Sequence, residues 1–278
     1  MIVTRPEGST LYLEDRGEGE SPPVLLLHGF TGSSGAWGGE VLRDLSSGRR
    51  LLVPDLPGHG ASPVPPPGRM SLEAVVDDLC GLLDVVGVET AVWVGYSMGG
   101  RVALGAAVLR PDRVERLVLE SASPGLPTEE ERDARRAIDE RRATELERDG
   151  VEPFVDRWMA LPIFASQRDL PEPVRARERA RRTEGSAVGW ARALRELGTG
   201  RQPSFWGRLD RLTTPVLLLT GGLDEKFVSV AARMAERLPA ATHVTIPGAG
   251  HAVHLEAPRA WLEAVRRFID PDVSKHSM

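Results

Sequence analysis

The chain has 278 residues, of which 41% are hydrophobic and 27% are charged, as in ordinary globular proteins with a large core. Its net charge of −5 gives no reason to expect nucleic acid or an anionic membrane as a partner. The single cysteine, Cys80, excludes an intramolecular disulfide bond, and no apolar run reaches the length of a membrane-spanning helix. We therefore expect a cytoplasmic protein that needs no obligatory protein partner.

Apolar runs that end in glycine-rich loops predict an α/β protein with a mostly parallel, doubly wound sheet. The runs at 24–27 and 51–53 are continuously apolar, which is typical of strands covered by helices on both faces. Glycine-rich loops follow them at 28–34 and 55–62. His59 lies in the second loop, where we expect it to hold the loop through hydrogen bonds rather than to act as a catalytic base.

A Gly-x-Ser-x-Gly motif at 95–99 stands between an apolar run and a helical pattern. This arrangement is the nucleophile elbow of α/β-hydrolases, in which a strained strand-to-helix turn exposes the serine hydroxyl at the edge of the sheet. Ser97 is therefore the predicted nucleophile or base. The Met98 amide, at the start of the helix, can face a developing negative charge, and the Phe30 amide is the expected second member of this oxyanion hole.

Asp224 and His251 complete a catalytic triad with Ser97 in the chain order Ser, Asp, His. Each follows a strand pattern, so the three side chains should meet at one edge of the sheet. The imidazole takes the serine proton, and the carboxylate fixes the imidazole tautomer. Asp224 is preferred to Glu225 because it follows the Gly-Gly-Leu turn, and His251 to His254 because it comes directly after the last strand. We expect no metal site and no cofactor.

Between residues 126 and 200 the strand pattern gives way to helical spacing with 15 arginines and 16 acidic residues. The balance excludes a basic patch, and we expect most of these charges to lie on solvated helix faces. Four segments follow from this pattern: a first part of the core at 1–125, a helical cap at 126–200, a second part of the core at 201–270 and a polar tail at 271–278.

Several segments carry a more specific similarity than the elbow alone. They are GYSMGGR at 95–101, SPGL at 123–126, Phe154 with Trp158, LPIF at 161–164, GTGRQPSFW at 198–206, and Asp224 with Lys226 and Phe227. Together they resemble the 2-succinyl-6-hydroxy-2,4-cyclohexadiene-1-carboxylate synthases of menaquinone biosynthesis, a family of lyases with the α/β-hydrolase fold and a helical cap. The resemblance implies elimination of pyruvate from a cyclohexene that carries succinyl, carboxylate and enolpyruvyl groups.

Such a small polycarboxylate substrate requires fixed cations, and arginine binds carboxylates through two parallel hydrogen bonds. Arg101, in the first turn of the helix after Ser97, is the best candidate. The resemblance further implies that Arg135, Arg179, Tyr96, Trp158 and Lys226 bind substrate. For the cap arginines a solvated helix face is the alternative, and four neighbours compete with Arg179. These competitors are Arg175, Arg177, Arg181 and Arg182.

Two other classes of function compete with the lyase. A serine carboxylesterase or C–C bond hydrolase would use the same triad, but it has no evident need for Arg101. A non-catalytic binding protein on this fold should lack a member of the triad, and all three are present. Whether Ser97 or His251 takes the substrate proton first is left open by the sequence.

Overall fold

The computed structural model describes residues 1–4 and 10–270, and the predicted polar tail at 271–278 lies outside them. Eight strands form one sheet in the order β1-β2-β4-β3-β5-β6-β7-β8. β2 pairs antiparallel with both β1 and β4, and the other pairings are parallel. The strands are β1 (Ile2–Thr4), β2 (Thr10–Arg16), β3 (Ser21–Leu27), β4 (Arg49–Pro54), β5 (Ala91–Tyr96), β6 (Val114–Glu120), β7 (Val216–Gly221) and β8 (Ala241–Ile246).

Helices cover both faces of this sheet, and the α/β fold class predicted from the sequence is confirmed. They are α1 (Gly38–Leu45), α2 (Leu72–Val85), α3 (Met98–Leu109), α4 (Glu129–Asp149), α5 (Val151–Met159), α6 (Glu172–Thr183), α7 (Ala187–Glu196), α8 (Glu225–Ala235), α9 (Val253–Glu256) and α10 (Pro258–Ile269). None of the helices in the described part of the chain combines the length and the apolar character needed to cross a bilayer.

Alternation along the central strands explains why two helical layers form. In β3, Leu25 and Leu27 pack into a core with α2, α3 and α8, whereas Val24 and Leu26 pack into a second core with α1 and α10. Since both faces of the strand are buried, its continuous apolar run is what this position in a parallel sheet requires.

The chain between β6 and β7 is helical and contains α4 to α7. A third apolar cluster, which includes Leu146, Phe154 and Trp190, joins these helices to one another. Phe30 contacts this cluster from the loop after β3, so the helical segment packs over the C-terminal ends of the strands. We propose that this segment is the cap.

Candidate active site

The elbow places Ser97 between the end of β5 and the start of α3. Ser97 has φ 51° and ψ −106°, a left-handed conformation that a non-glycine residue rarely adopts. A Cβ on Gly95 would lie 2.4 Å from the Gly99 carbonyl oxygen, and a Cβ on Gly99 would lie 2.1 Å from the Leu27 carbonyl oxygen. The turn therefore needs glycine at both positions of the motif.

Ser97, His251 and Asp224 form a continuous hydrogen-bonded chain. The Ser97 hydroxyl lies 3.1 Å from His251 Nε2, and His251 Nδ1 lies 2.6 Å from Asp224 Oδ2. The Phe227 amide donates to the other Asp224 oxygen at 3.3 Å, which fixes the carboxylate at the start of α8. With Nδ1 donating to the carboxylate, Nε2 is the acceptor for the serine proton. The geometry is that of a base-activated serine.

The competing histidines have other partners. His254 Nδ1 lies 2.8 and 3.0 Å from the two carboxylate oxygens of Glu120, and the Trp261 indole also donates to Glu120, at 2.9 Å. These three buried side chains form a separate polar cluster behind the elbow. His243 lies on β8, 3.0 Å from the Thr220 hydroxyl. The structure therefore brings His251, and neither of these two, to Ser97.

His59 and His28 are buried supports of the glycine-rich loops. Burial lowers the pKa of His59 to about 3 and that of His28 to about 4, so both rings are neutral at physiological pH. His59 Nδ1 lies 3.0 Å from the Pro57 carbonyl oxygen, and its ring centroid lies 5.7 Å from that of Phe30. The bond to Pro57 holds the loop at 55–62 that contains His59, as the sequence predicted, and the ring contact joins this loop to Phe30.

A cavity of about 400 Å³ opens beside Ser97 and His251. Phe30 and Met98, the two predicted oxyanion-hole residues, line the same cavity. Because Met98 is the first residue of α3, its amide lies at the positive end of the helix dipole. Trp158 forms part of the wall, with its ring 5.0 Å from that of Phe30.

Positive charge dominates this cavity. Its basic lining residues are Arg101, Arg135, Arg142, Lys226 and Arg233, and Glu131 is the acidic one among the described residues that line it. Lys226 is exposed, with Nζ 5.5 Å from the centre of the Phe227 ring, and Phe227 packs against His251. A partly enclosed cavity with this excess of cations attracts anionic ligands.

Arg101 is a buried cation whose hydrogen-bonding partners carry no charge. Its Nη1 donates to the Leu197 carbonyl oxygen and to Gln202 Oε1, both at 3.0 Å. Burial, together with the positive charge of Arg135, lowers the pKa of Arg101 to about 10, which still leaves it charged at neutral pH. A buried guanidinium held by neutral acceptors is well placed to bind a substrate carboxylate.

Gln202 and Arg142 are site residues that the sequence interpretation missed. Gln202 is buried and orients Arg101, and its only signal was its place in the 198–206 motif. Arg142 lines the cavity, but its signal was lost among the many arginines of the helical segment.

Arg179, which we expected to bind substrate, lies outside the Ser97 cavity. Its side chain is 45% exposed and pairs with Asp156, with 2.8 Å between Nε and Oδ1, and it lines an outer groove instead of the Ser97 cavity. The inward face of α6 carries Val174, Glu178 and Arg182 at a spacing of four residues, so Arg179 lies on the outer face. Arg182, one of the four competing neighbours, is the buried arginine of this helix.

Tyr96 also lies elsewhere than expected. It lines a small neighbouring cavity and not the one beside Ser97, with its ring centroid 5.3 Å from that of His251 and 4.8 Å from that of His254. Burial raises the pKa of the Tyr96 phenol well above its usual value. Tyr96 therefore packs behind the catalytic imidazole.

Within the residues that the structure describes, no group of three or more His, Cys, Asp or Glu could hold a metal ion.

Residues 22–258 match the family model of the alpha/beta hydrolase fold. A Bacillus subtilis protein provisionally named as a 2-succinyl-6-hydroxy-2,4-cyclohexadiene-1-carboxylate synthase is 39% identical over 96% of this chain and 97% of its own length. The synthase of the same name from Citrobacter koseri is 35% identical over 91% of this chain and 96% of its own.

Among solved structures, MenH from S. aureus superposes with a TM-score of 0.89 at 32% identity, covering 94% of this chain and 98% of that one. A thermophilic esterase from Thermogutta terrifontis, solved with malate bound, has a TM-score of 0.81 at 31% identity and covers 97% of this chain and 96% of its own. The chain belongs to the α/β-hydrolase family and, within it, to the family of the 2-succinyl-6-hydroxy-2,4-cyclohexadiene-1-carboxylate synthases.

Proposed function

We propose that this chain is a carbon–oxygen lyase of menaquinone biosynthesis. It eliminates pyruvate from 2-succinyl-5-enolpyruvyl-6-hydroxy-3-cyclohexene-1-carboxylate and leaves 2-succinyl-6-hydroxy-2,4-cyclohexadiene-1-carboxylate. The observation that carries this proposal is an intact Ser97–His251–Asp224 chain facing a cavity lined by five basic side chains. The triad supplies a base, and the cations suit a substrate with three carboxylates.

The elimination begins with removal of the proton on ring carbon 2, which lies next to the succinyl carbonyl. Ser97, polarised by His251, takes this proton, and the electron pair of the broken C–H bond moves toward the carbonyl and then into the ring. The ring double bond shifts, the bond between carbon 5 and the enolpyruvyl oxygen breaks, and the leaving enolate takes up a proton to become pyruvate. No acyl-enzyme is formed, and the reaction needs no cofactor or metal.

Two groups of residues stabilise this sequence in different ways. The Phe30 and Met98 amides face the oxygen that becomes negative when the carbon acid loses its proton. Arg101 binds a carboxylate and so holds the reacting carbon near Ser97. Arg135, Trp158 and Lys226 line the remainder of the cavity.

A carboxylesterase is the second candidate, favoured by the 31% identity with the Thermogutta terrifontis esterase. The buried cation Arg101 argues against it, since a neutral ester offers no carboxylate to offset the cost of burying a guanidinium. A C–C bond hydrolase would share the triad and meets the same objection.

Steady-state kinetics separate these functions. Pyruvate release from the enolpyruvyl substrate, followed by coupling to lactate dehydrogenase, is compared with hydrolysis of p-nitrophenyl acetate. If the protein is the lyase, we expect kcat/KM for pyruvate release to exceed kcat/KM for ester hydrolysis by several orders of magnitude. Rapid ester hydrolysis without pyruvate release would overturn it.

We also propose that the reaction takes place in the cytoplasm. The substrate is a charged small molecule, and a chain with one buried cysteine is typical of a reducing compartment.

A further inference from the structure

Three side chains on one face of α4 form a charged group at the edge of the cavity. Arg135, Asp139 and Arg142 stand at positions i, i+4 and i+7, so they share a face of the helix. Arg135 Nε donates to the two Asp139 oxygens at 2.8 and 2.9 Å, and Arg142 Nη1 lies 3.8 Å from Asp139 Oδ1. Two guanidinium groups therefore share one carboxylate.

Asp139 is fixed as the anchor of this group. Its side chain is 2% exposed, whereas those of Arg135 and Arg142 are 30% and 28% exposed. Gly198 packs directly onto it, because a Cβ on Gly198 would lie 2.6 Å from Asp139 Oδ2. The carboxylate is held behind the wall while both arginines extend to the cavity.

Arg142 is held in the cavity wall by a second contact. Its guanidinium carbon lies 5.4 Å from the centre of the Trp158 ring, a cation–π arrangement. Burial, and after it the positive charge of Arg135, lowers the pKa of Arg142. Asp139 carries one negative charge between the two positively charged guanidinium groups. A carboxylate from a ligand would balance the remaining charge and accept N–H donors from both arginines.

Arg135 is already expected from the family resemblance to bind substrate. We infer that Arg142, which shares the Asp139 carboxylate with Arg135, is a further carboxylate-binding residue of this subsite on the helical wall and determines its specificity for polycarboxylates. The subsite lies on α4, whereas Arg101 lies on α3. The identity of the subsite's ligand as the enolpyruvyl substrate rests on the proposed function.

Isothermal titration calorimetry with propane-1,2,3-tricarboxylate tests the subsite without turnover. We expect Arg142→Ala to raise the Kd of this probe at least tenfold and Arg142→Lys, which keeps the charge but not the planar fork, to raise it less. Arg141→Ala is the matched control, since Arg141 is the exposed neighbour and the change in net charge is the same. We expect it to change the Kd less than twofold. Thermal unfolding checks that each variant is folded.

Equal Kd values for Arg142→Ala and Arg141→Ala would overturn the subsite, as would failure of the wild-type protein to bind the probe. With the enolpyruvyl substrate, we expect Arg142→Ala to raise KM about tenfold and to change kcat less than threefold. If the wild type releases no pyruvate but the Kd difference is found, the proposed function fails and the subsite stands. If pyruvate is released and both Kd and KM are unaffected in Arg142→Ala, the subsite alone fails.

Discussion

The two walls of the cavity are built in different ways. The sheet wall contains Ser97 and His251, with Asp224 bonded behind His251, and the three residues follow the C-terminal ends of β5, β8 and β7 respectively. The helical wall consists of Arg135 and Arg142, which extend from α4 and are held by Asp139. Steric limits on the backbone and hydrogen bonds position the residues of the sheet wall. Ion pairs with Asp139 position the two arginines of the helical wall.

This difference matches what each wall has to do. Proton transfer requires heavy atoms within hydrogen-bond distance, so the residues that carry it are placed by strand ends and by a turn that accepts only glycine. Carboxylate binding works through charge over a longer distance and tolerates flexible side chains. We therefore expect changes in the sheet wall to lower kcat and changes in the helical wall to raise KM.

The largest expected effect is that of Ser97→Ala in the sheet wall. Loss of the polarised hydroxyl should lower kcat for pyruvate release by about 10³-fold or more, the usual range for a missing general base or triad member. Ser123→Ala is the control, since Ser123 lines the same cavity. A Ser97→Ala variant with wild-type kcat would mean that His251 works without the serine.

Gly99→Ala tests the steric origin of the sheet wall. The added Cβ would meet the Leu27 carbonyl oxygen at 2.1 Å, so we expect the free energy of unfolding to fall by about 3 kcal/mol or more. Gly207→Ala is the control, because a Cβ there meets nothing within 4 Å. Urea unfolding of both variants makes the comparison. Equal stability would show that the elbow can relax around a side chain.

Arg101→Ala should weaken transition-state binding, because a substrate carboxylate loses its buried cationic partner. We expect the transition-state stabilisation, calculated from the ratio of the kcat/KM values, to fall by about 2–3 kcal/mol. This is the usual loss for one buried charge-assisted contact. Arg179→Ala is the control and should leave kcat/KM within about twofold, because Arg179 lies on the outer surface. If the two variants had the reverse effects, the corrected position of Arg179 would be wrong.

A smaller effect concerns the acid sensitivity of the two glycine-rich loops beside the sheet wall, which contain His28 and His59. His28 and His59 have folded pKa values of about 4 and about 3, below the ordinary 6.5, so between pH 6.5 and 4 only the unfolded chain binds their protons. The free energy of unfolding therefore keeps its full value above pH 6.5. Below pH 6.5 it decreases as the pH is lowered, by about 1.4 kcal/mol per pH unit for each histidine, until the folded pKa is reached. Urea titrations at pH 7, 6 and 5 measure this dependence. His59→Gln should remove the share of one histidine from the slope, about 1.4 kcal/mol per pH unit. An unchanged slope would contradict the assignment.

The sequence predicted the sheet wall better than the helical wall, for a physical reason. Ser97, Asp224 and His251 each stand at a strand end marked by glycine, so local pattern determines their place. Arg179 was misplaced because α6 carries five arginines and only packing decides which of them faces inward. Tyr96 is the last residue of β5, and only the packing of its ring against His251 and His254 shows that it lies outside the Ser97 cavity.

Loss of the proton on ring carbon 2 is the most direct test of the proposed chemistry. The enolpyruvyl substrate is labelled with deuterium at that carbon, and both products are analysed by mass spectrometry after partial turnover in ordinary water. We predict one pyruvate for each ring product, with the label absent from the ring, and at most about 0.1% of this rate with Ser97→Ala. A ring product that retains the deuterium would contradict an elimination begun by proton abstraction at Ser97.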